Sequence, residues 1–415
     1  MRICWLSNFA FGNVGYSTIV RNLLPKINKI HTSALICNYG IEGAQRIDNL
    51  FEGITHYGKG QSGFEEALIP NHVKNFNGDC LISIFDVWAL QKMHIELKAN
   101  NIPYIVYCPV DSSELNPFFM ENLNSAFRII PMSKHSEDCI KKFYPEKTLP
   151  HIPGGVNLEI FKPLWNSVEE KNNLKSKFGF SPDTFLISLI GDIKSLRKRW
   201  MENLEGIKIF REKNPGIKIG VYIHTNLRVA SGLEFNIPMI LSKFKIEDIC
   251  RSVDTYRYCV GISDDEINLI LNASDVFLQA SYGEGFGLGF LEAAAAGTPS
   301  IGTNFSSMKQ TVVDGKTGHL VDCNLEWDQS LAKKAVPIPE DIAVKLKMIY
   351  DRKSVNYREE CIKHASNYSW DKIINEQWIP VLEQLEKDIK NECFNQGEPS
   401  DLLVKRSKEI FTVGG

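Results

Sequence analysis

The segment SYGEGFGLGFLEAAAAGTP (281–299) sets Glu284 and Glu292 on either side of a run of glycines and runs straight into a strong helix former. The apolar stretch DVFLQAS before it reads as a strand, so the glycines fall at a strand's carboxyl end and a helix N-terminus. That is where ligands bind in doubly wound sheets. Glycines let backbone N–H groups come close to an anion or to sugar hydroxyls, and the helix terminus favours negative charge. Glu292 falls about one turn into the helix, where a carboxylate accepts two hydrogen bonds from a vicinal diol such as ribose. Glu284, on the loop, reaches the other end of such a ligand. The same residues also fit a plain tight turn whose carboxylates stabilise a helix N-terminus.

Other stretches carry charge at comparable places. GDIKSLRKRWMENLEGIKIF (191–210) puts Arg197 and Lys198 between the apolar run FLISLIG and the next helix. Alone it reads equally as a solvated basic helix start or a nucleic-acid patch. YIVYCPVDSSELNP (104–117) ends a predicted strand with Asp111, placed either to orient a ligand hydroxyl or to cap the next helix. SNFAFGNVGYSTIVRNLL follows the first strand, but Gly12 and Gly15 have no third glycine, and Asn38 stands where a dinucleotide site needs an acid. SDDE (263–266) reads as a capping box, not a metal motif. No His, Cys and Asp cluster has metal spacing. His56, His94, His135, His151, His224 and His319 stand singly as structural residues, with His135 the one poised to face a cleft.

The elements that must position these residues alternate. Apolar runs MRICWLS, SALICNY, DCLISIF, PYIVYCPV and FRIIPMS are separated by amphipathic segments, and a second series starts at FLISLIG (185–191) and ends at PSIGT. Strands between helices at this rhythm imply parallel sheets wound on both faces. We therefore expect an α/β chain of two Rossmann-like domains, 1–165 and 166–369, joined through the polar stretch 162–184. A C-terminal helix over 370–390 crosses back to the first domain, and a loosely ordered tail follows over 391–415. The segment 43–68 reads as a loop-rich insertion. The 415 residues suit two cores, and 43% hydrophobic with 23% charged residues is ordinary globular composition. A net charge of −3 gives no global footprint for nucleic acid. Ten scattered cysteines without a Cys-x-x-Cys pair read as reduced thiols. With no signal peptide and no long apolar run, the expected location is the cytoplasm, with at most peripheral membrane contact.

The Glu284 to Glu292 segment and the Ala-Ala-Ala-Ala-Gly-Thr-Pro after it resemble the Glu-seven-Glu signature of retaining, GT-B-fold glycosyltransferases of family 4 (glycosyl transferases group 1). DGKTGHLVD (314–322), IPGGVNLEIFKP (152–163) and NYSWDKIINEQW (367–378) are similar to further family segments, so the resemblance covers about 1–385. It departs at Gly154, where the family often has His or Asn, at Asn157, where Asp is usual, and at Gly289, where Pro is common. The resemblance implies two facing Rossmann-like domains and transfer of a sugar from a nucleotide diphosphate sugar with retention of configuration. It implies no metal and no cofactor beyond that co-substrate. Arg197 and Lys198 then hold the diphosphate, where fixed cations favour a leaving group whose charge grows. Glu292 takes the ribose. Glu284, the N–H groups of Gly285, Phe286 and Gly287, and Leu288 beside them hold the rest of the donor. The loop with Gly12 and Gly15 approaches the donor phosphate from the first domain, and Asp111 matches a Pro-Val-Asp segment of one subgroup.

Three other readings share parts of this pattern. A sugar-nucleotide 2-epimerase has the same architecture and would epimerise a nucleotide sugar without acceptor. A non-catalytic binding module would hold donor without turnover. A nicotinamide dehydrogenase lacks its third glycine and acid here. The acceptor is open among a glycan, a lipid-linked glycan, a protein and a hydroxylated DNA base, and no obligate protein partner is signalled.

Overall fold

A computed structural model describes residues 1–395 apart from 13, 61–66, 91–92, 118–119, 194–195, 228–235 and 330; the expected tail beyond 395 lies outside the described residues. The first sheet holds β1 (Arg2–Asn8), β2 (Thr32–Tyr39), β3 (Arg46–Phe51), β4 (Ile54–Gly58), β5 (Cys80–Ile84), β6 (Tyr104–Cys108) and β7 (Arg128–Pro131), in the order β3-β4-β2-β1-β5-β6-β7. All neighbours are parallel except β3 with β4. The second sheet is parallel throughout: β8 (Phe185–Ile190), β9 (Ile219–His224), β10 (Cys250–Ser252), β11 (Val276–Gln279), β12 (Ser300–Thr303) and β13 (Gly318–Val321), in the order β10-β9-β8-β11-β12-β13. An antiparallel hairpin, β14 (Cys323–Trp327) with β15 (Lys333–Pro337), follows it.

The central strands are buried on both faces, which is why they read as unbroken apolar runs: β5 and β6 are buried at every position. In each sheet the order reverses beside the first strand of its domain, between β1 and β5 and between β8 and β11. A crevice opens at such a reversal because neighbouring crossovers leave toward opposite faces. The expected loop-rich insertion is corrected in part, since residues 46–58 form β3 and β4, which extend the sheet beyond β2.

The C-terminal segment returns to the first domain. Trp378 packs edge-on against Trp5 (5.7 Å) and Tyr107 (4.9 Å), and Leu382, Leu385 and Ile389 enter the same core. Arg128 fixes the helix Ile379–Asn395 through Asp388 at 2.9 Å. Where the chain crosses, Val156 N–H donates to the Tyr368 carbonyl at 2.8 Å, and a Cβ on Gly155 would lie 2.5 Å from the Trp370 ring.

The polar stretch 162–184 does more than connect. Its helix Val168–Leu174 is capped by Ser167, whose hydroxyl accepts from Glu170 N–H. Lys171 turns inward to Asp275 Oδ1 (2.8 Å) and the Ser274 carbonyl (2.9 Å), while Lys175 reaches Asp275 Oδ2 (2.8 Å). Burial pushes the Asp275 carboxyl up, yet the two ammonium groups overcome it and hold it at about 2. Removing the shared anion strands two buried cations. Asp275→Ala should therefore cost about 3–5 kcal/mol in urea unfolding. Asp183→Ala, which breaks the exposed pair with Lys218, should leave the unfolding midpoint close to that of the wild type. Equal losses would refute the assignment of this network as the anchor of the stretch.

Candidate functional site at the carboxyl ends of the sheets

The loops leaving β8 and β11 meet at the reversal of the second sheet. Leu196–Lys198 forms a short 3-10 turn, and Tyr282 N–H donates to the Arg197 carbonyl at 2.9 Å. Buried Asn203 clamps the same place. Its Nδ2 donates to the carbonyls of Lys198 (3.1 Å), Arg199 (2.8 Å) and Ala280 (3.0 Å), and its Oδ1 accepts from Ala280 N–H. Sequence reading missed Asn203, because a single polar residue on an amphipathic helix carries no signal of a contact 77 residues away.

These loops bring together three of the expected residues. Glu284 is buried and its carboxylate accepts from Arg197 Nη1, Lys198 Nζ (2.9 Å), Gln279 Nε2 (3.0 Å) and Ser281 Oγ (2.7 Å). Burial pushes its carboxyl up, but Arg197 and Lys198 outweigh that and hold it at about 2. The Lys198 ammonium is driven down to about 8 by burial, against the pull of Glu284 and with Arg197 adding repulsion. Glu284 raises the Arg197 guanidinium above its already high ordinary value. The backbone is equally fixed: Ser306 Oγ accepts from Glu284 N–H, and Ser307 Oγ donates to its carbonyl at 2.6 Å.

Glu292 stands apart from this cluster. Gly287, at φ 93°, precedes the helix Leu288–Ala295, so Glu292 lies just past its first turn. Among the described residues no hydrogen bond or ion pair engages its carboxylate. Burial and then the nearby Asp264 carboxylate push it up to about 7, against Arg21. Arg21 comes from the first domain, donating to the Ala10 carbonyl (3.2 Å) and pairing with Asp264 (2.9 Å). Asp264 opens the helix Asp264–Ala273, where Ser263 Oγ accepts from Glu266 N–H as the capping reading expects.

The glycines between the two glutamates have a second use. A Cβ on Gly283 would lie 1.9 Å from the Asp111 carbonyl oxygen, and one on Gly285 would lie 2.6 Å from Pro109 Cβ. The loop after β11 therefore touches the loop after β6 so closely that only glycine fits. Phe286 is buried, and Leu288 packs against the cores of both domains. A Cβ on Gly154 would lie 2.8 Å from Leu288 Cδ2, which accounts for glycine at that departure from the family pattern. Asp111 does not cap a helix; it accepts from Lys334 Nζ on β15 at 2.6 Å. Ser113 and Lys333 add two backbone contacts across the same seam.

On the first domain, Gly12 follows β1 and Gly15 opens the helix Gly15–Ile27, preceded by extended Val14 with no side-chain cap. Asn13 lies outside the described residues. A Cβ on Gly12 would sit 2.5 Å from Ser17 Oγ, a fully buried hydroxyl that has no hydrogen-bond partner among the described residues. Asp86, missed in the sequence, follows β5 at the first sheet's reversal. Burial and Asp111 push its carboxyl up to about 6, while a hydrogen bond from Tyr16 and the charges of Arg197 and Lys334 oppose them. Its one signal was position, an acid ending the run DCLISIF. His135 does sit at the seam, with Nε2 2.6 Å from the Ser112 carbonyl and its ring 6.0 Å from Phe305. Among the described residues no group of three or more His, Cys, Asp or Glu is arranged to hold a metal, and no helix is long and apolar enough to cross a membrane.

Residues 254–336 match the family model described as glycosyl transferases group 1. A D-inositol 3-phosphate glycosyltransferase of Paenarthrobacter aurescens is 28% identical over 224 residues, 53% of this chain and 48% of that protein. The chain thus spans about half the length of the curated relatives it matches. Among solved structures, sucrose-phosphate synthase from Thermosynechococcus elongatus superimposes with a TM-score of 0.72 at 14% identity, covering 93% of this chain and 99% of that one. Anabaena HepE in complex with UDP-glucose gives 0.70 at 13% identity, covering 92% and 100%. The chain has the GT-B fold of two Rossmann-like domains, and its residues 254–336 match the glycosyl transferases group 1 model.

Proposed function

We propose that the protein is a retaining glycosyltransferase that moves a hexose from a nucleotide diphosphate sugar to an acceptor hydroxyl in the cytoplasm. The observation that carries this reading is the buried Glu284 with Arg197 and Lys198 at the reversal of the second sheet. Both cations meet Glu284 at a strand end, where an anionic ligand can draw on them in its place. A diphosphate drawing on Arg197 and Lys198 frees Glu284 oxygens to accept from sugar hydroxyls. The N–H groups of Gly285, Phe286 and Gly287 and the side of Leu288 complete the donor's seat, and Glu292 takes the ribose diol. Gly12, Gly15 and the uncapped helix behind them approach the phosphates from the first domain. Asp111, tied to Lys334, holds the seam beside the reacting atoms.

As the bond from the sugar to the departing phosphate breaks, charge grows on that phosphate, and Arg197 and Lys198 stabilise it more than the ground state. The departing phosphate oxygen takes the acceptor proton while the acceptor oxygen bonds to the same face of the sugar. These side chains supply the positive charge, so the reaction runs without a bound metal. The contact of Gly283 and Gly285 with the first domain excludes water and so suppresses hydrolysis. The solved complex of HepE with UDP-glucose supports a nucleotide-sugar donor for this architecture.

Two measurements test the reading. In a panel of nucleotide sugars followed by mass spectrometry, the protein should slowly release a nucleoside diphosphate from one donor. Lys198→Ala and Glu292→Ala should each lower that rate about 100-fold or more. Failure to bind or cleave any donor would sink the assignment. Thermal melts test the two glutamates separately. Glu292, raised from an ordinary 4.5 to about 7, keeps its proton in the folded chain while the unfolded chain has lost it. Its cost to stability is therefore absent below about pH 4.5 and full above about pH 7. Glu284, lowered to about 2, stabilises at all pH above 4.5 and loses that contribution only as pH falls toward 2. At pH 8, Glu292→Gln should raise Tm and Glu284→Gln should lower it. At pH 5, most of the first gain should vanish and the second loss persist. Parallel behaviour of the two variants is the contrary result.

A further inference from the structure

The carboxyl edge of the first sheet carries a feature that the donor site does not use. Three large aromatic side chains stand exposed there, one after each of three adjacent strands. Tyr39 closes β2 and is 62% exposed, Phe11 follows β1 at 60%, and Trp88 follows β5 at 55%. Phe11 is propped edge-on by Phe9 (5.3 Å) and Phe51 (5.3 Å), so its ring is held in place. The β3–β4 hairpin supplies Phe51, which gives that extension a purpose. Two residues before Trp88 stands Asp86, bonded by Tyr16, whose ring packs on Phe85 at 5.6 Å.

Charge narrows what such an edge can hold. Asp86 and Asp111 stand half-buried on the first domain's side of the seam, and Arg21, Arg197, Lys198 and Lys334 each already face a carboxylate. A polyanion laid here would meet carboxylates beside cations that already face carboxylates among the described residues, whereas nucleic-acid sites depend on cations aimed at phosphates. Aromatic faces with a carboxylate beside them suit a ligand that has apolar C–H faces and hydroxyl donors at its rim.

We infer that the acceptor is an uncharged carbohydrate, laid with its ring faces along Tyr39, Phe11 and Trp88 and donating a hydrogen bond from a ring hydroxyl to Asp86. The bonded hydroxyl is a neighbour of the reacting one, whose proton goes to the departing phosphate, so Asp86 orients the acceptor and takes no proton. This inference rests on the transferase reading above. Among the described residues the titratable and charged groups facing Asp86 are Tyr16, Cys108, Asp111, Arg197, Tyr282 and Lys334. Its carboxyl sits near 6, so its capacity to accept two bonds falls away as pH drops through that value.

The test has two arms on the full chain. Saturation-transfer NMR with a panel of neutral oligosaccharides needs no donor; it should show ring protons contacting the wild type, with the signal weakened in Trp88→Ala and Phe11→Ala. In transfer assays with the cleaved donor, Trp88→Ala should raise acceptor KM up to about tenfold, as loss of one aromatic face does. Asp86→Asn should raise it about 10- to 100-fold, as loss of a hydrogen bond to a charged group does. The wild-type rise in acceptor KM below about pH 6 should disappear in Asp86→Asn, which a merely structural role would not produce. Glycosylation of a duplex bearing hydroxylated bases, with no neutral sugar accepted, would overturn the inference and leave the donor reading standing. So would a wild type that contacts no neutral sugar, or variants that bind unchanged. A wild type that cleaves no donor is instead the failure of the transferase reading, and the NMR arm still decides the acceptor.

Discussion

The site depends on one buried ionic cluster, Glu284 between Arg197 and Lys198. Taking a carboxylate out of water costs several kcal/mol, and the cost is met only when its oxygens are fully engaged. Here four donors converge on it, two of them charged, so the anion is held rather than merely tolerated. Because those donors come from the loop after β8 and from the end of β11 and the loop that follows it, the cluster also ties the two loops together. Asn203 makes the same join through the backbone. The result is a strand-end platform held together within the second domain by side chain and backbone alike.

The second constraint is steric. The loops after β6 and β11 approach until backbone meets backbone, and Gly283, Gly285 and Gly154 stand where a Cβ would collide. Glycines that look like a cradle for a ligand are thus also the means by which two domains close on each other. Leu288 shares in both cores, and Arg21 ties the first domain to the helix carrying Asp264. Side chains of the Glu284 cluster and of the first sheet's edge are thereby brought within one electrostatic field, as the coupling of Asp86 to Arg197 and Lys334 records.

Four carboxylates share that field and differ by environment alone. Glu284 and Asp111 have cations on them, while Glu292 and Asp86 are desolvated beside another acid. A carboxylate with a bound cation is a fixed charge, and one pushed toward neutrality waits for a ligand that brings hydrogen-bond donors. This division separates two carboxylates fixed by a cation at hydrogen-bond distance from two pushed up by burial and a neighbouring acid.

Much of this was legible in the residues. Apolar runs of strand length between amphipathic helices specify parallel α/β layers, because side-chain periodicity is a local property of the backbone. The strand-to-helix loops at 8–15, 191–199 and 281–288 follow from that alternation, and with them Glu284, Arg197, Lys198 and Glu292 as residues at strand ends. What only the tertiary structure decided are the pairings. Glu284 meets Arg197 across 87 positions and Asp111 meets Lys334 across 223, and no local pattern encodes such separations. Asp86 and Asn203 became visible only when strand order put β5 beside β1 and β11 beside β8. The β3–β4 hairpin escaped notice because β3 is mostly exposed and β4, which is buried beside β2, is only five residues long.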